Sequence, residues 1–216
     1  MKNLLYKELV LCTNVSVFIF TLFGAVMMIV PDYPHYVGFY YTTLSVMLLF
    51  TQGTANNDAV YTACLPVRRR DIVKARVLCV AFLELFCLAV SIPSAVAAAL
   101  FLPGWKSADG LPAAALYSIV FVQYALFNVS FLVLCYRKSG KPALAFFVGS
   151  IAYWAVFFVV TVLIAAIARV HAFMSAAGGM SQLTLLPVLA AGIAVWAGSL
   201  LLAYRICVKL FEKVNL

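Results

Sequence analysis

Apolar runs about one bilayer deep, broken by short clusters of Pro, Gly, Asn and charged residues, dominate the pattern along the chain. They predict six membrane-crossing helices: Leu11 to Val30, Tyr36 to Thr51, Val77 to Leu102, Ala113 to Cys135, Ala143 to Ala168 and Leu183 to Tyr204. Most hold the roughly 20 residues a helix needs to cross about 30 Å of hydrocarbon. The second run is the weakest, because Gln52, Asn56, Asn57 and Asp58 follow it closely. Removing it would reverse the side on which every later loop lies. No internal repeat is visible, so the expected fold is all-α: one polytopic transmembrane domain over residues 1–216.

Inside this pattern, a few positions break the apolar rule. Glu84 is the one acid well inside an expected span, where a carboxyl must face protein, water or the interface. It is a candidate for coupling or cargo contact, or for pairing with a basic residue near the inner surface. Gln123 and Asn128 in the fourth span, and Trp154 and Trp196 near the middle of the fifth and sixth, are candidates for the pathway or for helix packing. Pro93 lies within the third span, where it cannot donate to the helix ladder, and is a candidate hinge. Ala190, Ala194 and Gly198 form a small-residue stripe on the last span, suited to close helix approach within the subunit or across a dimer.

Composition agrees with a lipid solvent: 66% of residues are hydrophobic and only 10% charged, with a mean hydropathy of +1.09. A soluble domain of this length could not cover that apolar surface. Charge adds direction. With the N-terminus inside, every Lys and Arg except Lys106 and Arg169 falls in an inner segment, which places both termini in the cytosol of a plasma-membrane protein. The net charge of +8 then belongs to helix ends beside an anionic leaflet, and the chain has no basic surface domain for nucleic acid. The first apolar run lacks a small-residue cleavage site and reads as a retained span. Two readings of the preceding MKNLLYKELVL stand open: a helix lying along the inner face, or an extension of the first span.

The largest inner connection, residues 53–76, reads GTANNDAVYTACLPVRRRDIVKAR. Asn56 or Asn57 suits an N-cap, Asp58 suits the first turn, and Leu65 before Pro66 should end the helix. Asp71 can then start the helix that becomes the third span. A short helix across the inner surface is the expected product.

The segment YTACLPVRRRDIVKAR, between spans two and three of a six-span chain, resembles the corresponding stretch of ABC type 2 transporter permeases. The resemblance implies that the short helix docks on a separate cytosolic ATPase subunit, present in two copies, and that a second permease chain, identical or not, completes the route. It makes Asp58, Tyr61, Leu65, Pro66, Arg68 and Arg69 the docking candidates. The arginines also serve as topology anchors. No GxxxxGK[ST] phosphate loop occurs, so no cofactor is expected on this chain, and ATP and Mg belong to the partner. Compact permeases without outer domains look similar to exporters of amphipathic or antimicrobial peptides, including phenol-soluble modulins. A non-transporting assembly or immunity protein is the first rival. An intramembrane enzyme is the second, and it lacks parts: the histidines, His35 and His171, fall in expected outer loops without HExxH, and GxSxG is absent.

Overall fold

The computed structural model describes residues 2–30, 35–64, 67–101, 113–138, 141–166 and 185–213, and among these every regular element is helical. In chain order they are α1 (Lys2–Lys7), α2 (Val15–Val26), α3 (His35–Ala55), α4 (Asp58–Ala63), α5 (Arg69–Phe101), α6 (Ala113–Arg137), α7 (Pro142–Ala166) and α8 (Leu186–Glu212). A π-helical turn, Glu8–Cys12, follows α1, and a 3-10 turn, Met27–Ile29, closes α2. Helices α5 to α8 are long and apolar enough to cross a membrane, and the bent pair Leu4–Val10 and Val15–Ile29 makes a fifth candidate if it acts as one span. The 21-residue α3, which carries Thr42, Thr43, Ser45, Thr51, Gln52 and Thr54, is not among them.

A helix break separates the N-terminal segment from the first expected span. Thr13 turns extended, and the Asn14 side chain accepts the Val15 N–H at 2.7 Å, starting a new helix with its own cap. The axis changes direction by 83° across this break. Leu11 and Cys12 therefore lie before the bend, and the helix that carries most of the expected first span starts at Val15.

Expected and observed ends differ most where helices outrun their apolar stretches. Helix α5 begins at Arg69, eight residues before Val77, and α8 continues eight residues past Tyr204 to Glu212. Hydropathy marks where lipid stops, but an amphipathic helix with basic residues on its solvated face has no reason to stop there. Pro93 does not end α5, which runs through it for 33 residues. His35 is the first residue of α3 and is buried, where an outer loop position was expected; His171 lies outside the described residues.

At the centre of the packing is α6, which lies along α7 and α8, while α2 pairs with α3 and α5. Tyr124 of α6 donates to the Phe39 carbonyl at 3.0 Å, and Tyr153 of α7 donates to the Tyr36 carbonyl at 3.0 Å, pinning both helices to α3. Trp154 packs against Tyr40, Tyr153 and Phe157. In lipid, apolar side chains gain little by leaving one apolar medium for another, so close packing and such bonds carry more of the association. Two contacts depend on glycine. A Cβ on Gly24 would stand 2.6 Å from the Gly38 carbonyl oxygen, and one on Gly192 would stand 2.9 Å from that of Ser118. The close approach of α8 thus occurs at Gly192. The stripe of Ala190, Ala194 and Gly198 faces outward, and a Cβ on Gly198 would meet nothing within 4 Å.

Candidate functional site

At the end of the bundle where α1, α4 and the start of α5 meet, four charged side chains gather out of solvent. The short helix α4 forms because Asn57 takes a left-handed φ of 49°, a conformation Asn tolerates better than most residues, and reverses the chain after α3. Asp58 then opens the helix with its side chain turned into the protein. Lys7 Nζ lies 2.5 Å from Asp58 Oδ1, and Arg76 Nη2 donates to Asp58 Oδ2 at 2.6 Å. Arg76 Nε donates to Glu8 Oε2 at 3.2 Å, and Lys7 also approaches Glu8 Oε1 at 3.6 Å. Thr62, one turn along α4, accepts from Lys7 and donates to the Asp58 carbonyl.

Two cations and two anions balance, which is the condition for keeping such groups buried. The surroundings are shaped for the guanidinium. A Cβ on Gly53 would stand 3.0 Å from Arg76 Nη2, and Arg76 Cζ lies 5.3 Å from the centroid of the Phe50 ring. Burial alone would raise the Asp58 carboxyl, but the Lys7 hydrogen bond and the charges of Arg76 and Lys7 outweigh it and hold Asp58 below the usual carboxylate range. A depressed value contributes stability above the unfolded value that is lost only as pH falls through the folded one. We therefore expect the α1–α4 contact to survive at pH 5, read as unchanged crosslinking between cysteines introduced on the two helices, and to fail only below about pH 4.

The docking candidates divide by direction. Tyr61 is 62% exposed, and Cys64, Val67 and Arg68 are exposed beside it. Asp58 points the other way, into the ion cluster. Arg69 Nη1 donates to the carbonyls of Phe211 and Glu212 at 3.4 and 3.3 Å, placing a cation at the negative end of α8. Arg70 adds an exposed ion pair with Glu212 at 3.7 Å. Leu65 and Pro66 lie outside the described residues. The sequence reading passed over Glu8, Lys7 and Arg76 as site residues. The signal that could have found them is an acid and a base beside lipid-facing runs, where an unpaired charge is costly.

A second polar group lies deeper. Glu84 is buried, and its Oε2 accepts from Asn128 Nδ2 at 3.1 Å and from Trp196 Nε1 at 2.7 Å, joining α5, α6 and α8. Neither partner is basic, and among the described residues Glu84 meets two neutral donors rather than the cation that one expectation gave it. Gln123 is buried too, and its amide atoms have no hydrogen-bond partner among the described residues.

A family model described as ABC-2 family transporter protein matches residues 3–212. No match was found among curated proteins or among solved structures. With apolar helices of membrane-crossing length and a family match over nearly its whole length, the chain belongs to the ABC-2 family transporter proteins and is a multi-pass membrane permease.

Proposed function

We propose that this permease is the membrane half of an ATP-driven exporter in which α4 carries the push of a cytosolic ATPase to the membrane helices. Six crossings, with α2 and α3 as the first two, put both termini and α4 in the cytosol of a plasma-membrane protein forming one domain over residues 1–216. The supporting observation is the ion cluster: Asp58, at the start of α4, is held to Lys7 of α1 and Arg76 of α5. A force on the outward face of α4 then moves the N-terminal helix and α5 with it, because breaking either pair would strand a buried charge.

In this arrangement Tyr61 and Arg68 face the ATPase, Leu65 and Pro66 remain docking candidates by sequence, and Asp58 and Arg69 hold the docking face in place from behind. ATP and Mg reside on two ATPase copies. A second permease chain packs against the outward stripe of Ala190, Ala194 and Gly198 and encloses the route. Pro93 acts as the hinge of α5, and Trp154, Trp196 and Gln123 border the route. Amphipathic or antimicrobial peptides fit a path with aromatic walls and few charges, and they are the proposed cargo. Nucleotide closure and cargo favour different arrangements of the helices, which is the condition for coupling.

Co-purification with the ATPase tests the docking face. Arg68→Glu should lower ATPase recovery at least tenfold without lowering the melting temperature of the permease. Arg69→Glu should lower that temperature by detaching the end of α8. Retained ATPase with Arg68→Glu and Tyr61→Ala combined would refute docking on this face. Peptide-stimulated ATP turnover in proteoliposomes tests the cargo, and turnover indifferent to any amphipathic peptide would remove that part of the proposal.

A further inference from the structure

Glu84 has an arrangement that an ionised carboxylate does not explain. It is 1% exposed and sits where three apolar helices converge. Among the described residues, the titratable groups in electrostatic contact with it are Cys87 on its own helix, Tyr124 on α6 and Tyr153 on α7, while α8 contributes the indole of Trp196. All are neutral near pH 7, and none is a cation. Arg76, two turns nearer the start of α5 and about 12 Å away along the axis, is engaged with Glu8 and Asp58. An uncompensated negative charge in this place is strongly disfavoured.

The hydrogen bonds point the same way. Both donors converge on Oε2, leaving Oε1 buried and without a partner among the described residues, and Asn128 Oδ1 is in the same condition. These two orphans are both acceptors. A carboxylic acid and a primary amide pair through a ring of two bonds: amide N–H to acid carbonyl, and acid O–H to amide carbonyl. Asn128 Nδ2 to Glu84 Oε2 is the first of these, and the two orphaned acceptors are the atoms that a second would join.

We propose that Glu84 is a proton-binding site within the membrane, holding one proton on Oε1 that is donated to Asn128 Oδ1. The proton is taken from water and no other bond is made or broken. The neutral acid satisfies both orphans, removes the buried charge and joins α5, α6 and α8 through one hub. If α8 moves away from α5 during transport, a step that rests on the exporter reading above, the hub opens, water reaches the carboxyl and the proton leaves.

Infrared difference spectra of the full-length protein in lipid bilayers, wild type minus Glu84→Gln, test the site without reference to ATPase or cargo. The expected result at neutral pH is a protonated carboxylic C=O band present in the wild type and missing from the variant. Loss of a carboxylate band instead would overturn the proposal and leave an ionised Glu84 neutralised by water or a bound cation. Should Glu84→Gln not fold, Trp196→Phe serves: removing one donor from the carbonyl oxygen must move the band to higher frequency. A band that does not move belongs to another carboxyl and also overturns the assignment. Given the band, a pH profile of ATP turnover that differs between wild type and Glu84→Gln supports proton release during the cycle. Identical profiles would refute release while leaving the site standing.

Discussion

Replacing Arg76 with leucine is expected to destabilise the permease by about 3–5 kcal/mol, the cost of removing one partner from a buried ion pair and leaving the other charged. The substitution strands two acids at once, Glu8 and Asp58, each of which takes a hydrogen bond from the guanidinium. Lys7 remains within 2.5 Å of Asp58 and 3.6 Å of Glu8 and can offset only part of the charge. Thermal unfolding in detergent, followed by tryptophan fluorescence, reads the loss directly. Arg76→Lys should recover some stability but not all of it, since an ammonium cannot reach both carboxylates with a planar fork. Removing one acid together with the arginine, as Glu8→Gln and Arg76→Leu, leaves Lys7 paired with Asp58 and should restore most of the stability while leaving α4 no longer held to α5. A double variant that is stable, docks its ATPase and still couples nucleotide to transport would show that the link from α4 to α5 holds the fold but does not transmit force.

A methyl group added at Gly24 should have the second largest effect, about 1–3 kcal/mol of destabilisation from overpacking. The added Cβ of Gly24→Ala would lie 2.6 Å from the Gly38 carbonyl oxygen, a backbone atom that cannot swing aside. Alanine is the better helix former by up to about 1 kcal/mol, so the sign depends on the clash, and here the clash is with backbone. Gly198→Ala is the matched control. Its Cβ meets nothing within 4 Å, and the helix gain should appear alone as a small rise in melting temperature. Gly198→Leu tests the proposed pairing face: it should leave the single chain stable but abolish the proposed pairing of two permease chains in crosslinking experiments. Unchanged pairing would move the partner contact off α8.

Much of the fold was legible because lipid imposes a length on any apolar helix. The spans of α5 to α8 and the short helix at Asp58 follow from runs of about 20 apolar residues and from local capping and proline chemistry, all of which act within a few residues along the chain. The ends were less legible. A helix can continue past the lipid boundary, as α5 and α8 do, without any change in backbone preference.

The candidate site was half legible for a related reason. Sequence alone determined that a basic elbow with a short helix follows the second apolar run, and that Glu84 is an acid in an apolar setting. It could not tell which way Asp58 points, that Arg69 joins the end of α8, or that Glu8 and Arg76 meet across 68 positions and Glu84 and Trp196 across 112. Only the tertiary structure decided those pairings. Hydropathy separates lipid from water, but within the bilayer it gives no contrast between a helix face turned to lipid and one turned to protein. Which buried charges meet then depends on helix rotation and close approach at sites such as Gly24 and Gly192, which exist only once the helices are packed.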